Sequence, residues 1–156
     1  MKKITFQALN SAGKRITKIA TIDTLKKKII LIQSSEEQLY LSGIREKGVS
    51  GYIYLYAHAT SNSIQGMPFG TDIADVIQRS GLWNGEPILI DACNAGSLPN
   101  GIASSLASSL RTYVTAPTTT TWNFPLGGRA VDQGAFEKLP GKLAALPFPD
   151  LTKPGQ

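Results

Sequence analysis

Two strongly apolar runs, each followed at once by a reactive side chain, constrain this 156-residue chain more than any other feature. The first run, GYIYLYAHAT, ends near His58, and the second, EPILIDACNAG, ends near Cys93. The segment between them, TDIADVIQRSGLW, has the periodicity of an amphipathic helix. A strand–helix–strand order makes the two strands parallel neighbours whose carboxyl ends share one sheet edge. Open α/β sheets bind ligands at that edge.

The pattern continues beyond Cys93 and predicts an α/β fold with an open sheet. A second helix over about 101–110 and a strand in RTYVTAP complete a β-α-β-α-β unit across residues 51–117. The strands 52–57, 87–92 and 112–116 should be parallel, with the helices near 72–81 and 101–110 packed on the sheet. The predicted core therefore consists of parallel strands flanked by helices.

The regions on either side of this core carry different patterns. Residues 3–42 predict N-terminal β-hairpins, the first turning at NSAGK and the second joining KIILIQ to QLYLSG through SSEE. The sequence AFEKLPGKLAAL near the end predicts a short helix broken at a proline. We expect one domain over 1–156, with a hairpin extension over about 1–45, a catalytic core over about 50–123 and a C-terminal loop and helix region over about 124–156.

Composition excludes several classes of protein. The single cysteine excludes an internal disulfide and a thiolate metal cluster. No apolar run reaches the length of a membrane span, and MKKITFQALN lacks the apolar core of a signal peptide. The formal net charge of +5 would suit an acidic partner or nucleic acid. No aromatic side chains are interleaved with the N-terminal lysines, so a solvated basic surface is the simpler interpretation.

Cys93 and His58 are the candidate catalytic residues. A thiol and an imidazole brought together at one sheet edge form a nucleophile–base pair. The alternative for Cys93 is a buried structural cysteine, and the alternative for His58 is a half-buried polar residue at a strand end. One histidine and one cysteine do not make a closed metal site, and thiol chemistry needs no cofactor. We therefore expect neither a metal nor a cofactor.

These residues resemble the caspase-like cysteine peptidases, which include caspases, metacaspases, legumains and the self-cleaving domains of large bacterial toxins. That family has a histidine at the end of one strand and, some tens of residues later, a cysteine in an Asp/Glu/Gln–Ala/Ser–Cys–x–x–Gly turn. Here DACNAG, residues 91–96, fills that turn. The stretch TAPTTTTWNF is similar to the Thr-x-Pro and Ser-Trp segment of caspases, so the resemblance spans roughly residues 51–123.

The resemblance implies roles for further residues. The backbone N–H groups of Ala59 and Cys93 would hold the oxyanion, and Thr115, Thr121 and Trp122 would line the substrate cleft. The family usually has glycine directly after the catalytic histidine, whereas this chain has Ala59. An alanine still offers an N–H, but a backbone conformation with positive φ would cost it energy.

Asp91 has two open interpretations. It lies two residues before Cys93, so on a strand the two would share a face. Metacaspases, which cut after Arg or Lys, have Asp at this position, and Asp91 would then bind a basic substrate side chain. Alternatively, its carboxylate accepts hydrogen bonds from loop N–H groups.

The function predicted from these features is that of a cysteine endopeptidase that cleaves a polypeptide substrate after a basic residue. By analogy with the family, the domain would belong to a bacterial effector or toxin, act in a target-cell cytosol or in the cytoplasm, and have an inhibitory or immunity protein as a partner. Two alternatives stay open. One is a non-enzymatic caspase-like interaction module, which Ala59 favours, and the other is a basic toxin that acts on nucleic acid.

Overall fold

The described part of the chain forms an α/β structure around one mixed sheet, as expected for the general class. A computed structural model describes residues 1–98, 100–117, 121–123, 129–131 and 136–139. Within them the elements are β1 (Lys2–Leu9), β2 (Arg15–Asp23), β3 (Lys28–Ile30), α1 (Glu37–Arg45), β4 (Ile53–Tyr56), α2 (Gly70–Arg79), β5 (Ile88–Asp91), α3 (Ile102–Leu110), β6 (Val114–Pro117), β7 (Thr121–Asn123), β8 (Arg129–Val131) and β9 (Phe136–Leu139).

The sheet has parallel strands at its centre and antiparallel strands at both sides. Its order is β1-β2-β3-β4-β5-β6-β9, and β7 pairs with β8 in a separate two-stranded sheet. The strands β3, β4, β5 and β6 are parallel neighbours, whereas β1, β2 and β9 join the sheet in the antiparallel sense. The predicted parallel arrangement of the strands that precede His58 and Cys93, and of the strand at RTYVTAP, is therefore confirmed.

The helices divide between the two faces of the sheet. Alternation along β4 and β5 sends Ile53, Leu55, Ile88 and Ile90 into the larger core, which also contains the apolar residues of α2 and α3. Tyr54, Tyr56 and Leu89 point to the other face, where Leu39, Tyr40 and Ile44 of α1 cover them. No helix among the described residues has both the length and the apolarity that a membrane crossing requires.

One of the two predicted N-terminal hairpins is present, and the other is wrong. β1 and β2 form the hairpin that turns at NSAGK, but QLYLSG lies in the helix α1 rather than in a strand. The short alternation of this segment was misleading because its apolar residues pack on a sheet face that only the folded core supplies. Gly43 allows the close contact, since a Cβ there would overlap the ring of Tyr56.

The C-terminal helix prediction is also wrong where the structure describes it. Phe136–Leu139 of AFEKLPGKLAAL is the strand β9, which pairs antiparallel with β6. Without β9, β6 would present unpaired backbone groups at the edge of the sheet, so pairing outweighs the local helical pattern. The remainder of that predicted helix lies outside the described residues.

A buried lysine connects β3 to the end of α1. The side chain of Lys28 is fully buried, and its Nζ donates hydrogen bonds to the carbonyl oxygens of Gly43, Ile44 and Glu46 at 2.6, 2.8 and 2.6 Å. These carbonyls lie at the carboxyl end of α1, where the last carbonyls of a helix need donors from outside it. Burial, followed in size by the charge of Lys26, lowers the pKa of Lys28 to about 8. Lys28 thus fixes α1 against the sheet.

We predict that Lys28→Met destabilises the fold by on the order of 3 kcal/mol at pH 7, because three carbonyls at the end of α1 lose their donor. The difference in free energy of unfolding between wild type and Lys28→Met should grow as pH rises from about 8 to 10.5. Over that range Lys28 binds more protons in the unfolded chain than in the folded one. Urea unfolding of both proteins at pH 7, 9 and 10 measures this. A difference in free energy of unfolding that stays constant or shrinks as pH rises would contradict the lowered pKa of Lys28 in the folded protein.

Candidate active site

The register of β4 and β5 brings the ends of the two strands to the same level. Tyr56 lies opposite Asp91, and the Ala57 N–H donates to the Asp91 carbonyl oxygen at 3.2 Å. His58 and Cys93 each lie two residues beyond that pair. The two candidate catalytic residues therefore leave neighbouring parallel strands at the same edge of the sheet and at the same height.

The loops that follow the two strands also contact one another. The Ile102 N–H, at the start of α3, donates to the Ser61 carbonyl oxygen at 2.9 Å. Gly101 packs so closely on this oxygen that a Cβ would lie 2.5 Å from it. The loop after His58 and the loop after Cys93 thus share one small region of the surface rather than diverging.

The backbone of His58 is held by the hairpin that follows it. The Gln65 N–H donates to the His58 carbonyl oxygen at 2.7 Å, and the His58 N–H donates to the Gln65 Oε1 at 2.8 Å. Gln65 and Gly66 have φ angles of 49° and 82°, which form the turn of this hairpin. These two bonds fix the point at which the imidazole side chain departs from the sheet.

The imidazole of His58 is hydrogen-bonded to the carboxylate of Glu36. Its Nε2 lies 2.8 Å from Glu36 Oε1 and 3.0 Å from Oε2. Glu36 immediately precedes α1, where the positive end of the helix dipole favours a carboxylate. The side chains of His58 and Glu36 are 52% and 43% exposed. The His58 ring is therefore accessible from solvent and in contact with a carboxylate at the start of α1.

Cys93 lies in a tight turn between β5 and α3. Its side chain is partly exposed, and the next residue, Asn94, has a positive φ of 59°. The turn is fixed against β6, because the Gly96 N–H donates to the Pro117 carbonyl oxygen at 2.8 Å. A Cβ on Gly96 would lie 2.8 Å from the Ala116 carbonyl oxygen, so only glycine fits there. The glycine of the DACNAG motif thus has a steric role.

Ala59 adopts a backbone conformation that suits alanine. The described non-glycine residues with positive φ are Lys27, Gln65, Asn94 and Arg111, and Ala59 is not among them. Ala59 forms a β-bridge with Ile64 in which the flanking residues carry the hydrogen bonds, so its own N–H points away from Ile64. Alanine at this position therefore carries no left-handed strain.

Asp91 is fully buried below the sheet edge. It lies on the α1 side, where the Tyr54 hydroxyl donates to its Oδ2. Burial, together with the nearby charge of Asp91, raises the pKa of Tyr56 well above its usual value, while a hydrogen bond with Ser42 opposes this. Asp91 is thus a buried carboxylate with tyrosine neighbours. Because Asp91 is fully buried, a substrate cation would reach it only after neighbouring groups have moved.

The residues expected to line a substrate cleft are only partly described. Thr115 is fully buried on β6, opposite Leu89, and so does not line an open surface. Burial raises the pKa of the neighbouring Tyr52, and a hydrogen bond with Thr115 opposes that shift. Thr121 and Trp122 lie in β7, paired with β8, and their side chains are outside the described part of the structure.

Glu36 is the site residue that sequence reasoning missed. It belongs to SSEE, which was predicted to be a hairpin turn, and only the helix that follows places it beside His58. Glu37 follows directly, so nothing in the local sequence distinguishes the two. No three His, Cys, Asp or Glu side chains among the described residues are grouped closely enough to bind a metal ion.

The fold and site together define a three-layer α/β domain with a histidine and a cysteine at the carboxyl edge of its parallel strands. The model of the family described as Domain of unknown function (DUF8616) matches residues 27–131, and the chain belongs to this family. The matched segment includes Glu36, His58 and Cys93. No match was found among curated proteins or among solved structures.

We predict that Gly96→Ala destabilises the fold by about 1–3 kcal/mol, because the new methyl group must displace the backbone of β6 or of the Cys93 turn. Urea unfolding measures the change, and the alkylation rate of the single cysteine reports movement of the turn. Asn94→Gly is the matched control, since glycine accepts the positive φ at that position. Equal stability of Gly96→Ala and wild type would contradict the proposed close packing.

Proposed function

We propose that this domain is a cysteine endopeptidase that uses Cys93 as nucleophile and His58 as base. The observation that carries the proposal is the parallel register of β4 and β5, in which both residues follow the paired Tyr56 and Asp91 by two positions. The hydrogen bond between Ile102 and Ser61 supports it, because it brings the two loops together. The resemblance of DACNAG to the caspase-like turn supplies the reaction class.

The chemistry follows from the residues at this edge. His58 accepts the thiol proton of Cys93, and the sulfur attacks the peptide carbonyl carbon to form a tetrahedral intermediate. The N–H groups of Ala59 and Cys93 stabilise the oxyanion. The imidazolium then gives its proton to the leaving amine, and water later hydrolyses the thioester. The half-exposed His58 ring leaves room for a substrate to approach.

Preference for a basic residue before the cut forms the second part of the proposal. Asp91 is a buried carboxylate two residues before Cys93, on the α1 side of the sheet. A negative region there attracts a guanidinium or ammonium group and repels an acidic side chain. Asp91 is fully buried and its Oδ2 accepts a hydrogen bond from Tyr54, so direct pairing with a substrate requires neighbouring groups to move. An effector or toxin as the parent protein stays a prediction from family resemblance.

We predict that Cys93→Ala and His58→Ala each abolish cleavage of a peptide library, because each removes one half of the dyad. Cys93→Ser tests the same point with nearly unchanged volume. Mass spectrometry of the digests measures cleavage, and thermal unfolding checks that each variant keeps its fold. Asp75→Asn is the control for an unrelated surface change, since Asp75 pairs with Arg79 on α2. Cleavage that persists in Cys93→Ala, or no cleavage by wild type, would refute the proposal.

We predict that Asp91→Asn weakens cleavage after Arg or Lys, by on the order of 2–5 kcal/mol if the carboxylate pairs directly with the substrate. Tyr54→Phe removes the hydroxyl that binds Asp91 and is the matched variant, which should keep the preference for basic residues. The ratio of kcat/KM for matched peptides with Arg and Gln before the cut measures the preference. Cleavage after Asp or large apolar residues that is indifferent to Asp91→Asn would contradict this assignment.

A further inference from the structure

We propose that Glu36 is a positioning residue that orients the imidazole of His58 for Cys93, an inference that rests on the proposed function. The His58 ring has two nitrogens, and Nε2 is engaged by both oxygens of Glu36. The nitrogen left for the thiol proton is therefore Nδ1. Glu36 thus selects the tautomer with hydrogen on Nε2 and leaves a lone pair on Nδ1.

The backbones of His58 and Glu36 are each fixed by hydrogen bonds within their own segment of the chain. The His58 backbone is fixed on both sides by Gln65, so rotation of the ring is the main freedom that remains. Glu36 is anchored at the beginning of α1, where its N–H donates to the Gln33 carbonyl oxygen at 3.0 Å and its carbonyl oxygen accepts from Tyr40 at 2.9 Å. The backbones of both His58 and Glu36 are thus fixed by hydrogen bonds. The two carboxylate oxygens of Glu36 then limit rotation of the His58 ring.

The carboxylate also acts on the proton transfer itself. When Cys93 loses its proton to Nδ1, His58 becomes an imidazolium while its Nε2–H stays on Glu36. The positive ring then lies between the Cys93 thiolate and the Glu36 carboxylate, which stabilises the charged pair. No proton passes to Glu36. The Nδ1 proton later leaves with the amine of the cleaved peptide.

The test uses the fact that this chain contains a single cysteine and a single histidine. The rate of Cys93 alkylation by iodoacetamide is measured at pH 7 without substrate in wild type, Glu36→Gln and Glu36→Asp. Glu37→Gln is the matched control, because it removes the same charge one residue further along. Thermal unfolding of each variant checks the fold. His58→Ala gives the rate that Cys93 has without its base.

We expect Glu36→Gln to slow alkylation by about two- to fivefold, because the contact between Glu36 and the imidazolium that forms is half-exposed. Glu36→Asp should fall in between, and Glu37→Gln should leave the rate unchanged. Raising NaCl to 1 M should slow wild type more than Glu36→Gln, since salt screens the pair. With a cleavable peptide, kcat should fall in Glu36→Gln while KM holds. A merely structural role would not produce this salt dependence or this split.

Equal alkylation rates in wild type and Glu36→Gln, or equal losses in Glu36→Gln and Glu37→Gln, would overturn the role of Glu36. The alkylation measurements require no peptidase activity, so they test the role of Glu36 separately from the endopeptidase proposal. If wild type cleaves no peptide but Glu36→Gln still slows alkylation selectively, the endopeptidase proposal fails and the Glu36–His58–Cys93 coupling stands. If cleavage occurs and Glu36→Gln changes nothing, only the positioning role fails.

Discussion

The parallel pairing of β4 with β5 is the constraint on which the rest of the site depends. Their register sets Tyr56 opposite Asp91, and His58 and Cys93 both follow that pair by two residues. A shift of one residue would send every side chain of a strand to the other face of the sheet. The apolar residues of both strands oppose such a shift, because they divide cleanly between the α1 face and the α2–α3 face.

The two faces of the sheet differ in the residues that they bury. The α2–α3 face contains the larger apolar core, whereas the α1 face places polar groups beneath the sheet edge. Lys28 binds the carboxyl end of α1, and Glu36, at the amino end of the same helix, contacts His58. One short helix therefore connects a buried structural lysine to the carboxylate that contacts the candidate base. Displacement of α1 would move Glu36 and expose Tyr54 and Tyr56 together.

The central sheet could be predicted from sequence because its strands are short, apolar and separated by helical periodicity. That reasoning placed His58 and Cys93 at one edge. It failed for QLYLSG, which becomes helix α1 through packing on Tyr56, and for Phe136–Leu139, which becomes strand β9 through pairing with β6. Both failures come from long-range contacts. Glu36 was missed for the same reason, since only α1 brings it to a histidine 22 residues away.

The most direct test of the central claim is covalent labelling with a peptidyl-arginine chloromethyl ketone, followed by intact-mass measurement and peptide mapping. A Cys–His dyad with basic preference predicts one adduct per chain, located on Cys93, that forms slowly or not at all in His58→Ala and faster than with the matching aspartate reagent. Labelling of Cys93 that is equally fast in His58→Ala, or the absence of an adduct in folded wild type, would contradict a catalytic pair at this sheet edge.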